Sequence, residues 1–197
     1  MYFSGKSEDV VKIIHETLRM VIPLAITLSR NATNRIESLI KNMCHNIMTD
    51  LPLPDLQEQM PDRDEFIQAL ANPGRFTKGI LAVYHLLNEE QQKEGLAPRL
   101  WRFEVEHILP RSNQHWDSWG DNYWEYIEHL SNKTLLEKKQ NIRALNDYFN
   151  RKKERAYKDS PLIDVNKGLM SKPQWTPEEC DRRFKDITER LCNFIYG

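Results

Sequence analysis

Over most of its length the chain repeats apolar residues at the three-and-four interval of a helix, but at 99–108, "RLWRFEVEHI", the interval drops to two. Trp101, Phe103 and Val105 alternate with Arg102, Glu104 and Glu106, which is the period of a strand. "HLSNKTLL" (129–136) offers a second short strand, and from Lys138 to Tyr157 the pattern turns helical again. The connection at 111–130 carries Trp116, Trp119, Tyr123, Trp124 and Tyr126 and is long enough to hold a short helix. The order is therefore strand, loop, strand, helix. The fold class expected is α+β and mostly helical, with one small two-stranded core among helices.

The flanking helices are read from their stripes. Ser7-Glu8-Asp9 caps a helix carrying Val10, Ile13, Ile14, Leu18, Val21 and Ile22, which Pro23 is expected to kink or interrupt. Ile36, Leu39, Ile40, Met43 and Ile47 mark a second helix. "DLPLPDLQEQMP" (50–61) is a proline-rich connection, and "DRDE" (62–65) has capping-box spacing ahead of Phe66, Ile67 and Leu70. A further helix is expected over 77–92, with Ile80, Leu81, Tyr84 and Leu87. In the tail, Thr176 is a good N-cap, Pro177 suits the first helical position, and Glu178 and Glu179 complement the dipole. These stripes read as core packing, and the lone histidines His15, His45 and His85 as structural or solvated. The boundary falls between a helical region, 1–98, and a second region, 99–197.

A chain of 197 residues that is 40% hydrophobic and 29% charged is neither disordered nor short of a core. Cys44, Cys180 and Cys192 are odd in number and form no CxxC, which suits a reducing cytoplasm and gives no support for structural zinc. The apolar run "MVIPLAITL" (20–28) is too short, and too closely preceded by charge, to span a bilayer. The opening "MYFSG" reads as an arbitrary start, so a fragment of a longer protein is expected.

The chemistry concentrates in "FEVEHILP" (103–110), where a carboxylate and an imidazole end a strand just before a proline. Adjacent strand side chains face opposite ways, so Glu106 and His107 share a site only where the strand is ending, and Pro110 makes that end plausible. A neutral histidine suits deprotonation of water, and a carboxylate with an amide carbonyl suits a hard divalent cation that keeps several waters. His107 is accordingly the candidate base. Glu106 and Asn141 are the candidate metal ligands, and Asn132 is placed to orient the His107 loop by bonding its backbone.

With these residues, "VEHILPRS…LSNKTLLEKKQN" resembles the ββα-metal motif of HNH nucleases. The longer phrases "SNKTLLEKKQNIRALNDYFNRKKERAY" and "WTPEECDRRFKDITERLCNFIY" resemble the C-terminal nuclease domain of GmrSD-type modification-dependent (type IV) restriction enzymes. The positions carrying that likeness are Asn132, Asn141, Phe149, Lys152, Tyr157, Trp175 and Arg183. The resemblance is specific over about 103–196 and general before it; the long aromatic connection from His107 to Asn132 departs from it. It implies an HNH ββα-metal core and a DNA endonuclease of a phage-defence system. His107 would activate water with Asn132 positioning it, while Glu106 and Asn141 hold Mg²⁺ or Mn²⁺. Lys152 would touch phosphate or support the site. The implied partners are DNA, in particular modified foreign DNA, and a nucleotide-dependent recognition domain absent from this chain. No membrane partner is implied, the location is cytoplasmic, and a homo-oligomer is left open.

The net charge of −1 is uninformative, but residues 132–158 carry nine Lys and Arg against three acidic residues, a local +6. Lys138, Lys139, Arg143 and Lys152 are therefore the candidate DNA contacts. A solvated helix face is the competing explanation. The tryptophans at 116–124 read as base-stacking or, more simply, core residues. Arg102 and Arg111 flank the motif as phosphate candidates on weak sequence context. The alternative function is a non-catalytic DNA-binding or interaction module on an HNH scaffold.

Overall fold

The structure, a computed structural model, describes residues 7–27, 32–49, 51–52, 60–88, 91, 100, 102–112, 119 and 123–197. Most of the proline-rich connection, Trp101 and Trp116 lie outside the described residues. The elements are α1 (Ser7–Thr27), α2 (Ala32–Met48), α3 (Arg63–Leu70), α4 (Thr77–Leu86), β1 (Phe103–His107), α5 (Tyr123–Ile127), β2 (Lys133–Glu137), α6 (Lys138–Ala144), α7 (Phe149–Arg155) and α8 (Pro177–Tyr196). The molecule is thus mostly helical with a two-stranded sheet.

The chain divides into two compact units, one of 1–69 with 192–197 and one of Leu70–Leu191. In the first, α1 and α2 bury Met20, Leu24, Leu39 and Met43, with Val21, Ile36 and Met60 packed against them. Pro23 does not interrupt α1, which runs through it to Thr27. Asp62 accepts a hydrogen bond from the Asp64 amide at 3.0 Å, as the start of α3 requires.

The second unit is built on the sheet. β1 and β2 are antiparallel, with Glu104 opposite Leu136, Glu106 opposite Thr134 and His107 opposite Lys133. Two strands are not stable alone, and here α4 and α6 pack against both. Phe103, Ile108, Leu130, Leu135 and Leu136 are buried around the ladder. The compact unit therefore starts near residue 70, where the sequence pattern puts a boundary after 98. Ile80, Leu81 and Tyr84 of α4 are buried and belong to the body that carries the sheet.

Two further expectations change in detail. The 138–157 stretch is two helices, because Leu145 takes a positive φ of 55° and ends α6. The 77–92 helix closes at Leu86. Of the lone histidines, His15 and His45 are exposed, while His85 is wholly buried against Asp164 at 3.3 Å. Trp119 is buried and Trp124 exposed. At the head of α8 the Glu179 amide donates to the Thr176 hydroxyl at 3.4 Å.

Candidate functional site

The backbone just after β1 is held by the Asn132 side chain. Asn132 is 0% exposed. Its Oδ1 accepts from the Leu109 amide at 2.7 Å and from the Trp175 indole N–H at 3.1 Å. Its Nδ2 donates to the Leu109 and Ile127 carbonyls, both at 3.1 Å. All four hydrogen-bonding positions of the amide are used. The Asn132 carbonyl in turn accepts from the Ile108 amide at 2.8 Å. Arg183 braces the same turn, donating to the Ser131 and Lys133 carbonyls at 2.7 and 2.8 Å. The segment following His107 is thereby fixed in two directions.

Period two puts Glu104 and Glu106 on one side of β1 and aims His107 to the other. Glu106, 7% exposed, pairs with Lys152, 1% exposed, at 2.6 Å. The Lys152 ammonium also donates to the His107 carbonyl, and the Tyr157 hydroxyl approaches Glu106 at 3.5 Å. Burial pushes the Glu106 carboxyl up and the Lys152 ammonium down from their ordinary values, against the attraction each exerts on the other. Asn141, on α6, donates its Nδ2 to Glu104 Oε2 at 2.9 Å. The amide expected beside Glu106 is thus engaged by the carboxylate two residues earlier.

His107 faces a different group. Its Nε2 is buried, has no hydrogen-bond partner among the described residues, and lies 3.5 Å from Glu128 Oε1, beyond good hydrogen-bond length. Burial pulls the imidazole down to about 4; Glu128 opposes this, and Arg111 and Lys133 add to it. The ring is therefore neutral at neutral pH. Glu128 accepts from Arg111 at 2.5 Å and from Lys133 at 2.8 Å. Partial burial alone would raise its carboxyl, but those two donors outweigh it and hold the group at about 2.

These features sit inside a span with a recognised relationship. Residues 60–190 match the family model of GmrSD restriction endonucleases, C-terminal domain. The chain belongs to that family. No curated protein matches the chain. The residues singled out for the likeness, from Asn132 to Arg183, all fall inside the matched GmrSD span, as do Glu104, Glu106, His107 and Glu128.

Within this GmrSD domain Glu106 and His107 lie on β1, Asn132 in the turn before β2, Asn141 on α6 and Lys152 on α7, and the side chains of Glu106, His107 and Asn141 meet different partners. Glu106 meets Lys152, Asn141 meets Glu104, and His107 meets the Glu128 group. Among the described residues, no three His, Cys, Asp or Glu side chains form a metal-holding group. Of the candidate DNA contacts, Lys138, Lys139 and Arg143 are exposed on α6, Arg143 being paired with Asp159 at 3.0 Å. Lys152 is not at the surface: its buried ammonium is engaged by Glu106 and the His107 carbonyl. Glu104 and Glu128 were not singled out from the sequence. Glu104 had a signal, since period two places it beside Glu106; nothing local marked Glu128, 21 residues after His107 and across the aromatic connection.

Proposed function

We propose that this domain is an HNH-type, divalent-metal-dependent DNA endonuclease, the nuclease part of a larger phage-defence restriction protein acting on modified foreign DNA. The family supplies the class. The observation that carries the reading is the His107 ring: neutral, at the end of a strand, with a buried Nε2 that has no hydrogen-bond partner among the described residues. An imidazole in that condition can accept a proton from a water brought to it. Asn132 serves as a positioning residue, because its bonds to Leu109 fix the turn that carries the ring.

The donor chemistry beside β1 fits a hard cation. Glu104 and Asn141 already meet at 2.9 Å, and a rotated Asn141 amide would offer its oxygen beside the carboxylate. Glu106 fits less directly, because Lys152 holds its Oε1 and it would join the ligands only on releasing that ammonium. A bound Mg²⁺ or Mn²⁺ would supply charge neutralisation at the scissile phosphate and the leaving oxygen. Lys138, Lys139 and Arg143 offer charge to the backbone from α6.

The test is nicking of supercoiled plasmid with Mg²⁺ or Mn²⁺, wild type against His107→Ala, with thermal unfolding to show that the variant is folded. The variant is expected to lose cleavage. Cleavage at the wild-type rate by His107→Ala would remove His107 from the chemistry. Salt-sensitive DNA binding with no hydrolysis in either metal would favour the non-catalytic module instead.

A further inference from the structure

Among the described residues, Glu128 is the acidic group that faces His107 Nε2, and it is held by two cations on a side chain that is 51% exposed. We propose that Arg111, Lys133 and His107 form a phosphodiester subsite, which the Glu128 carboxylate fills in the DNA-free protein and vacates when DNA arrives. The inference rests on the nuclease reading of His107.

Three observations carry it. First, the site is built. His107 and Lys133 are directly opposite in the ladder, so their side chains share one face. The Lys133 side chain is only 9% exposed, and its ammonium donates to Glu128 twice, once to a carboxylate oxygen and once to the backbone carbonyl, each at 2.8 Å. Second, the oxygens are placed as a phosphodiester's would be. Oε1 takes Arg111 and stands nearest His107 Nε2, while Oε2 takes Lys133. The carboxylate and a phosphodiester each carry one negative charge and two terminal oxygens. Exchanging one for the other leaves the charge of the cluster unchanged. Third, the occupant can leave without disturbing the frame. The turn around Glu128 is fixed through main-chain groups, the Ile127 carbonyl by Asn132 and the Glu128 carbonyl by Lys133, and the Glu128 side chain is half in solvent. Glu128 is thus a competitor for the substrate's place, and its two cations are kept paired until a polyanion displaces it.

The experiment measures binding of a short DNA duplex by fluorescence anisotropy in EDTA, so that affinity is read apart from cleavage. Glu128→Gln keeps an oxygen for Lys133 while removing the charge, and is expected to tighten binding about two- to five-fold. Glu125→Gln, an exposed neighbour in α5, controls for the change in net charge and is expected to give a smaller effect. Arg111→Ala is expected to weaken binding and to abolish the gain when combined with Glu128→Gln. Equal affinity of the two glutamine variants overturns the subsite, as does an Arg111→Ala protein that binds like wild type. If Glu128→Gln fails to tighten binding but impairs nicking, Glu128 merely positions His107 and the competitor role is wrong. The affinity series reads the subsite, whereas absence of nicking by the wild type would count against the nuclease reading alone.

Discussion

Replacing Lys152 with methionine isolates the energetics beneath the candidate site. The substitution keeps most of the apolar stem but leaves the Glu106 carboxylate, 7% exposed, without its cation. At 2.6 Å the attraction between the two charges is about 6 kcal/mol at an effective dielectric near 20. Burial of both ions offsets most of that, so the pair is worth little net. Removing one member is different, because the other stays desolvated, and the cost is expected at about 3–5 kcal/mol. Pairing Lys152→Met with Glu106→Gln removes the stranded charge and should recover at least about 2 kcal/mol, seen as coupling in a double-mutant cycle. Urea unfolding followed by tryptophan fluorescence is the assay, in EDTA so that metal does not enter. All five tryptophans lie between residues 101 and 175, inside the Leu70–Leu191 unit, so the signal reports that unit. A Lys152→Met protein within 1 kcal/mol of wild type, or a double variant no more stable than it, would refute the reasoning.

Three other outcomes are expected. Asn132→Asp turns the donor that faces two carbonyls into an acceptor, and should cost about 3 kcal/mol or more, beyond Asn132→Ala, in the same urea assay. His85 is held below its ordinary value by burial, with Asp164 opposing; the unfolded chain therefore takes up that proton first. Its contribution is complete above about pH 6.5 and declines as pH falls below, by up to about 1.4 kcal/mol per unit, and His85→Asn should flatten the dependence by one proton's worth. In titration calorimetry with Mn²⁺, Glu104→Gln should weaken binding by about ten-fold or more, whereas Glu106→Gln matters only if Lys152 gives way on loading. Equal losses from both would show that Glu106 is a ligand on the same footing.

The sequence by itself determined the order of elements and where the candidate chemical groups lie along them. The switch from period 3.6 to period 2 located β1, Pro110 marked its end, and Thr176-Pro177 marked the head of α8, because these signals depend only on local backbone preferences. Asn132 was legible on a different ground: a side-chain amide needs both donors and acceptors, and the loop after His107 supplies them. Only the tertiary structure decided which charges meet. Period two places Glu104 and Glu106 on one side of the strand alike and cannot say that Asn141 meets the first and Lys152, 46 residues away, the second. Nor does it bring Glu128 onto Arg111 and Lys133. Such pairings follow from how helices dock on the ladder, and that docking is set by the burial of apolar side chains spread over the whole unit.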